Sequence, residues 1–170
     1  MLNQKVQDAL NRQINAELYS SYLYLSMAAW FESQTLPGMA TWMRVQAQEE
    51  LMHAMKFYGF IPQRNGRVAL TAIEAPKTQW SNPIEAFQEA QQHEKKVTAM
   101  INGLVDLAVA EKDHATETFL QWFVNEQVEE EASVLLIVDR LKMVGESPVA
   151  YFMLDSVLGQ RTVGPAPAGQ

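Results

Sequence analysis

The 170-residue sequence contains no cysteine, which removes disulfides, zinc-thiolate sites, iron-sulfur clusters and thiol nucleophiles from the chemistries open to it. Any metal must be held by oxygen and imidazole. Basic residues are also scarce, with 13 Lys and Arg against 20 Asp and Glu and a formal net charge of -7. Proteins that neutralise nucleic-acid phosphates concentrate Lys and Arg, so no nucleic-acid partner is expected. An acidic surface favours solubility and attracts cations. No window approaches the roughly 20 uninterrupted apolar residues of a membrane-spanning helix, and the start Met1-Leu2-Asn3-Gln4-Lys5 has no signal-peptide core. A cytoplasmic protein with no membrane partner is the expectation.

Strand-like alternation is missing as well. The 7 prolines and 8 glycines fall mainly at Pro37-Gly38, from Gly59 to Gly66, at Pro76 and Pro83, from Gly145 to Pro148, and from Gly159 to Gly169. The segments between these breaks are long and 48% of the chain is hydrophobic, so an all-α domain with a sizeable core follows. Helices are predicted over 3–32, 37–61, 83–110, 115–143 and, shorter, 148–158. Asn82-Pro83-Ile84-Glu85 reads as a capping box, Ser147-Pro148 opens the last helix in the same manner, and Gly145 suits a left-handed stop.

The first two helices, and the third and fourth, are joined by short links and form antiparallel hairpins. The link between the second and third helices needs about 20 residues and reaches about 65 Å when extended, more than the roughly 40 Å of a 27-residue helix. It can cross the whole bundle and leave those two helices parallel. Residues 162–170 are expected to form a disordered tail.

Steps of three and four residues trace the inward seam of each helix. The first runs Leu10, Ile14, Glu17, Ser21, Tyr24, Ala28, Phe31; the second Met39, Met43, Gln46, Glu50, His53, Phe57, Phe60. The third runs Ile84, Phe87, Gln91, Glu94, Thr98, Ile101, Val105, Ala108, and the fourth Leu120, Phe123, Gln127, Glu130, Val134, Ile137, Leu141. Every seam is apolar at its ends and polar near its middle. Helices of similar length bring their midpoints to one height, so Glu17, Glu50, His53, Glu94, Gln127 and Glu130 should share one layer. Several unpaired carboxylates buried together are untenable without protons or cations, and divalent metal is the economical answer. Glu50 and His53 form Glu-x-x-His, the i, i+3 pair of carboxylate-bridged di-iron bundles. That pair alone also occurs on solvated helix faces; acids at matching heights on four seams give it weight.

With these features the chain resembles the bacterial non-haem ferritins over most of its length. The resemblance implies a ferritin-like four-helix bundle over 1–161, with a long crossover between the second and third helices and a short fifth, C-terminal helix. It places one iron on Glu17, Glu50 and His53 and a second on the bridging Glu50 with Glu94 and Glu130. Gln127 and Tyr24 match residues beside that centre, and Glu49, Glu126, Glu129 and Glu130 match a third iron site. Glu126, Glu129, Glu130 and Glu131 also read as a charged helix face. Helix-four Gln127-Val128-Glu129-Glu130 lacks the second Glu-x-x-His of bacterioferritins. Met52 does not directly follow the bridging Glu50, so no haem is expected.

The implied activity is ferroxidase: oxidation of Fe(II) by O2 or H2O2, with ferric mineral stored in a homo-oligomeric shell of 24 subunits. Val149, Phe152, Met153, Leu154, Val157 and Leu158 make the fifth helix too apolar for a free surface, which fits either a subunit interface or packing across its own bundle. Glu117 is the candidate for an acidic uptake channel, with Leu120 where an acid often stands, and Trp122 reads as packing. A peroxide-reducing di-iron protein of rubrerythrin type and a non-enzymatic helical assembly are the alternatives.

Overall fold

In the computed structural model, which describes residues 2–145 and 147–164, all regular structure is helical: α1 (Gln4–Ser33), α2 (Pro37–Gln63), α3 (Pro83–Ala110), α4 (His114–Val144) and α5 (Pro148–Leu158). Each boundary lies within two residues of the sequence expectation. No helix among the described residues is long and apolar enough to cross a membrane.

The starts follow side-chain capping. Asn3, Asn82, Asp113 and Ser147 accept from the amides of Lys5, Glu85, Thr116 and Ala150. The capping box is shifted by one residue, because Glu85 reaches back to the Ser81 amide at 2.7 Å. The geometry of the stops was less visible in the sequence than their positions. After α1, α2 and α3 the chain turns through Thr35, Asn65 and Lys112, all at positive φ. Leu36, Gly66 and Asp113 then donate back to Phe31, Ile61 and Ala108, a Schellman closure without glycine at the left-handed residue. Gly145 has φ 58 but ψ -130, so it leaves the helix with positive φ outside the left-handed helical basin.

Residues 67–80 run the length of α1. Asn11 bonds the backbone of Arg67 and Ala69, Asn15 holds Thr71 and Ala72, and Ser26 bonds Lys77. Trp80 then packs on Trp30 with ring centroids 5.6 Å apart. Phe87 near the start of α3 meets Trp42 near the start of α2. The link has crossed the bundle, and α2 and α3 are parallel.

The core falls into two apolar ends. One gathers Tyr24, Phe31, Met43, Phe87 and Leu141; the other Leu10, Phe57, Ile101, Leu120 and Phe123. Leu120 is fully buried there, so its side chain faces the bundle interior and not the outer surface of the subunit. α5 closes the first end with Leu154 and Leu158 inward, while Val149, Phe152, Met153 and Val157 stay exposed. Packing across its own bundle therefore accounts for Leu154 and Leu158, and the other four apolar side chains stand on the opposite side of the helix.

Residues 165–170 of the tail fall outside the described residues. Gly164, by contrast, donates its amide to Glu49 Oε1 at 3.3 Å.

Candidate metal centre

Between the two apolar ends lies the polar layer. Glu17, Glu50, His53, Glu94, Gln127 and Glu130 are all buried, as equal helix lengths and the crossing link require. The inward seams were followed almost residue by residue. At four positions the neighbour one residue earlier is buried instead, Ser20 for Ser21, Ala90 for Gln91, Val97 for Thr98 and Leu104 for Val105, and at the end of α2 Ile61 is buried rather than Phe60.

Glu17, Glu50 and His53 offer ligand atoms that lie within 4.8 Å of one another, and so do His53, Glu126 and Glu130. Two three-ligand groups thus share one imidazole. His53 Nδ1 lies 3.3 Å from Glu50 Oε2, and Nε2 lies 3.9 Å from Glu126 Oε1. Glu94 joins neither group: it accepts from the Tyr24 hydroxyl in a short hydrogen bond and from Gln127 Nε2 at 3.3 Å. Gln127 also meets Thr98 Oγ1 at 3.2 Å.

Two further amides organise the layer. Gln13 Nε2 donates to Glu17 Oε1 at 2.8 Å, and Gln46 Nε2 donates to both Glu50 Oε1 and Glu130 Oε2. The available signal for both was spacing, since each stands four residues before the carboxylate that it holds, on the same helix face. Among the described residues, the buried oxygens without a hydrogen-bond partner are Glu17 Oε2 and Gln46 Oε1. An unpartnered buried carboxylate oxygen costs free energy, and a cation would relieve that cost. Hard oxygens with one imidazole suit iron.

The protonation pattern follows from burial. Desolvation, reinforced by the Glu50 charge, lifts Glu17 to about 8 and Glu94 to about 8. Glu130 is pushed well above the usual carboxylate range by burial and by Glu50 and Glu94. Burial opposes charge on Glu50 and on His53 as well, but their mutual contact outweighs it. Glu50 is lowered, and His53 is raised to about 10 with help from Glu17 and Glu130. One carboxylate is thus ionised beside an imidazolium, and its neighbours hold protons near neutrality.

The remaining candidates lie further out. Glu126 is partly buried, Glu129 is exposed, and Glu49 is engaged by Arg161 and Gly164. Glu117 is paired with His114 on the first turn of α4. Trp122 packs edge-on against His53 at 5.4 Å and carries Lys56 over its ring at 4.0 Å. Met52 lines the adjoining cavity.

The family profile described as a ferritin-like domain matches residues 7–144. A bacterial non-heme ferritin of Bacteroides fragilis is 45% identical over 161 residues, covering 95% of this chain and 100% of its own. One from Escherichia coli O157:H7 is 37% identical over 158 residues, covering 93% and 96%. The open-pore ferritin of Archaeoglobus fulgidus superposes with a TM-score of 0.95 at 54% identity, covering 95% of this chain and 100% of that one. A closed form of the same ferritin made by site-directed mutagenesis also gives 0.95, at 53% identity and 96% and 100% coverage. Carried by a bundle with this polar layer and by relatives of this similarity along nearly its whole length, the chain belongs to the ferritin family.

Proposed function

We propose that this chain is an iron-storage subunit with ferroxidase activity, and that the buried layer is where Fe(II) is oxidised. The observation that carries this reading is the pair of three-ligand groups meeting at His53, beside an unpartnered Glu17 oxygen. Iron is the substrate and the cargo. In this reading Glu50 bridges two ions, Glu17 and His53 complete one coordination sphere, and Glu94 and Glu130 the other. Glu49, Glu126 and Glu129, with Glu130, would serve a third.

The layer suits the task electrostatically. Two divalent cations replace the protons on Glu17, Glu94 and Glu130 and the one on His53, charge for charge, so uptake leaves the buried cluster neutral overall. Each Fe(II) gives one electron. Two of them reduce O2 to H2O2 with two protons taken up, or reduce H2O2 to two waters with two protons taken up. Gln127 holds Glu94 in place, and the Tyr24 phenol, raised well above its ordinary value by burial and by Glu94, remains a donor throughout the working pH range. Residues 1–161 would form the working unit. Ferric product would collect inside a shell of 24 copies, with the exposed apolar side of α5 buried between subunits.

The test is anaerobic loading with Fe(II), admission of O2 and measurement of ferric absorbance in the wild type and in Glu50→Ala/His53→Ala. The double variant should lose the fast phase by tenfold or more; equal early rates overturn the reading. Sedimentation of the assembled protein tests the shell, and a stable monomer would reject storage.

A further inference from the structure

Where the Nε2 edge of His53 faces Glu126, a cavity of about 170 Å³ opens, lined by Glu49, His53, Lys56, Trp122 and Glu126 and by Gly164 of the C-terminal segment. Glu49 is one of the acids proposed above for a third metal position, yet both of its oxygens are taken. Arg161 Nη2 forms a short ion pair with Oε2, and the Gly164 amide donates to Oε1 at 3.3 Å. The guanidinium is also held by an aromatic face, with its carbon 4.2 Å from the centroid of Trp42. The side chains of Arg161 and Glu49 are only 21% and 15% exposed, so solvent screens the pair weakly.

The path of the segment explains how it reaches this point. α5 is fixed at the start of α2, where the Asp155 carboxylate accepts from the Gly38 and Met39 amides. Glu49 lies ten residues further along α2 than Met39, about 15 Å at helical rise. An extended run from Gly159 to Gly164 spans about that distance, and it passes Trp42 on the way.

We propose that Arg161 determines how many metal ions each subunit takes. Its guanidinium, with the Gly164 amide, occupies Glu49 as an internal counter-ion, and a divalent cation gains Glu49 only by lifting the 161–164 segment away. The inference rests on the two-ion reading given above and adds that the third position is self-competed. Competition is reciprocal: if the docked segment weakens metal at Glu49 by some factor, metal there weakens docking by the same factor.

Zn(II), which is not oxidised, separates occupancy from turnover. Anaerobic titration of the assembled protein, read by calorimetry and native mass spectrometry, should show two tight ions per subunit and a third at least tenfold weaker. Arg161→Gln should tighten the third ion about tenfold, Arg161→Lys should preserve much of the competition, and Glu49→Gln added to Arg161→Gln should abolish the gain. In the wild type, hydrogen exchange at the Gly164 amide should accelerate as the third equivalent is added. Third-ion affinity within twofold of wild type in Arg161→Gln, or Gly164 protection unchanged by the third equivalent, overturns the proposal and leaves the two-ion reading standing. A wild type that does not bind two tight ions overturns both.

Discussion

Gln46 Nε2 donates to Glu130 Oε2 at 2.6 Å and to Glu50 Oε1 at 3.0 Å, so one amide group ties a carboxylate of α4 to a carboxylate of α2. The reverse orientation would set Gln46 Oε1 against both acids. Gln46→Leu keeps roughly the same volume and removes the donor. The metal-free protein should lose about 1–3 kcal/mol, the cost of leaving a buried polar partner unsatisfied. The Zn(II)-loaded protein should lose less, because the cation then holds the two acids. Thermal unfolding with and without Zn(II) measures the difference; equal losses in both forms would mean that Gln46 acts by packing alone.

The protonated layer gives the metal-free protein a defined pH dependence. Glu17 and Glu94 have folded values raised from 4.5 to about 8. Each therefore contributes stability that is fully present below about 4.5 and is lost as pH rises through about 8. His53, raised from 6.5 to about 10, acts in the same direction over a higher window. Glu50, which is lowered, acts the opposite way, its contribution being lost only as pH falls below the ordinary carboxylate range. The Tm of chelator-treated protein should thus fall between pH 5 and pH 9. Zn(II) should raise Tm more at pH 8 than at pH 5.5, because fewer protons remain to be displaced. A Tm that is flat across this range would contradict the buried-proton account.

Thr35 closes α1 at φ 61, a left-handed position that is unfavourable for a β-branched residue. Leu36 and Thr35 both donate back to the last turn, so the geometry is enforced by the hairpin rather than by the residue. Thr35→Asn, which accepts this conformation more readily, should raise stability by about 0.5–1 kcal/mol without altering metal binding. Chemical denaturation at a pH where the layer is protonated would measure it.

The same turn shows what the sequence could and could not disclose. The inward seams were legible because burial imposes a period of 3.6, and Glu17, Glu50, His53, Glu94 and Glu130 stand on that period among apolar neighbours. The crossing link was legible from its length. The positions of the helix stops were legible to within two residues, but their closing geometry was not, since Thr35, Asn65 and Lys112 carry no glycine signal and adopt positive φ through backbone bonds set by the fold. Arg161 was hidden for a different reason. Its partner Glu49 is 112 residues away, and no local pattern specifies a contact made by a segment lying along another helix. Which carboxylates share an ion is likewise a matter of side-chain approach, and Glu94, held by Tyr24 and Gln127, shows that a common height does not by itself bring oxygens together.

α2 has no cap from its own preceding residues, and Asp155 of α5 takes that role across the fold, accepting from Gly38 at 3.0 Å and Met39 at 2.8 Å. The approach is so close that a Cβ on Gly38 would fall 1.8 Å from the Asp155 carbonyl oxygen. Two substitutions should therefore separate capping from contact. Asp155→Ala removes the cap and should cost about 1–2 kcal/mol while leaving α5 docked through Leu154 and Leu158. Gly38→Ala retains the carboxylate but overlaps backbone, which cannot move aside without displacing α5. In the proposed shell the outward Val149, Phe152 and Val157 of α5 meet neighbouring subunits, so its displacement should dissociate the assembly even where circular dichroism shows the bundle intact. Sedimentation of the two variants decides the matter: Asp155→Ala should remain largely assembled and Gly38→Ala should not. A fully assembled Gly38→Ala would show that α5 is not what fixes the subunit contacts.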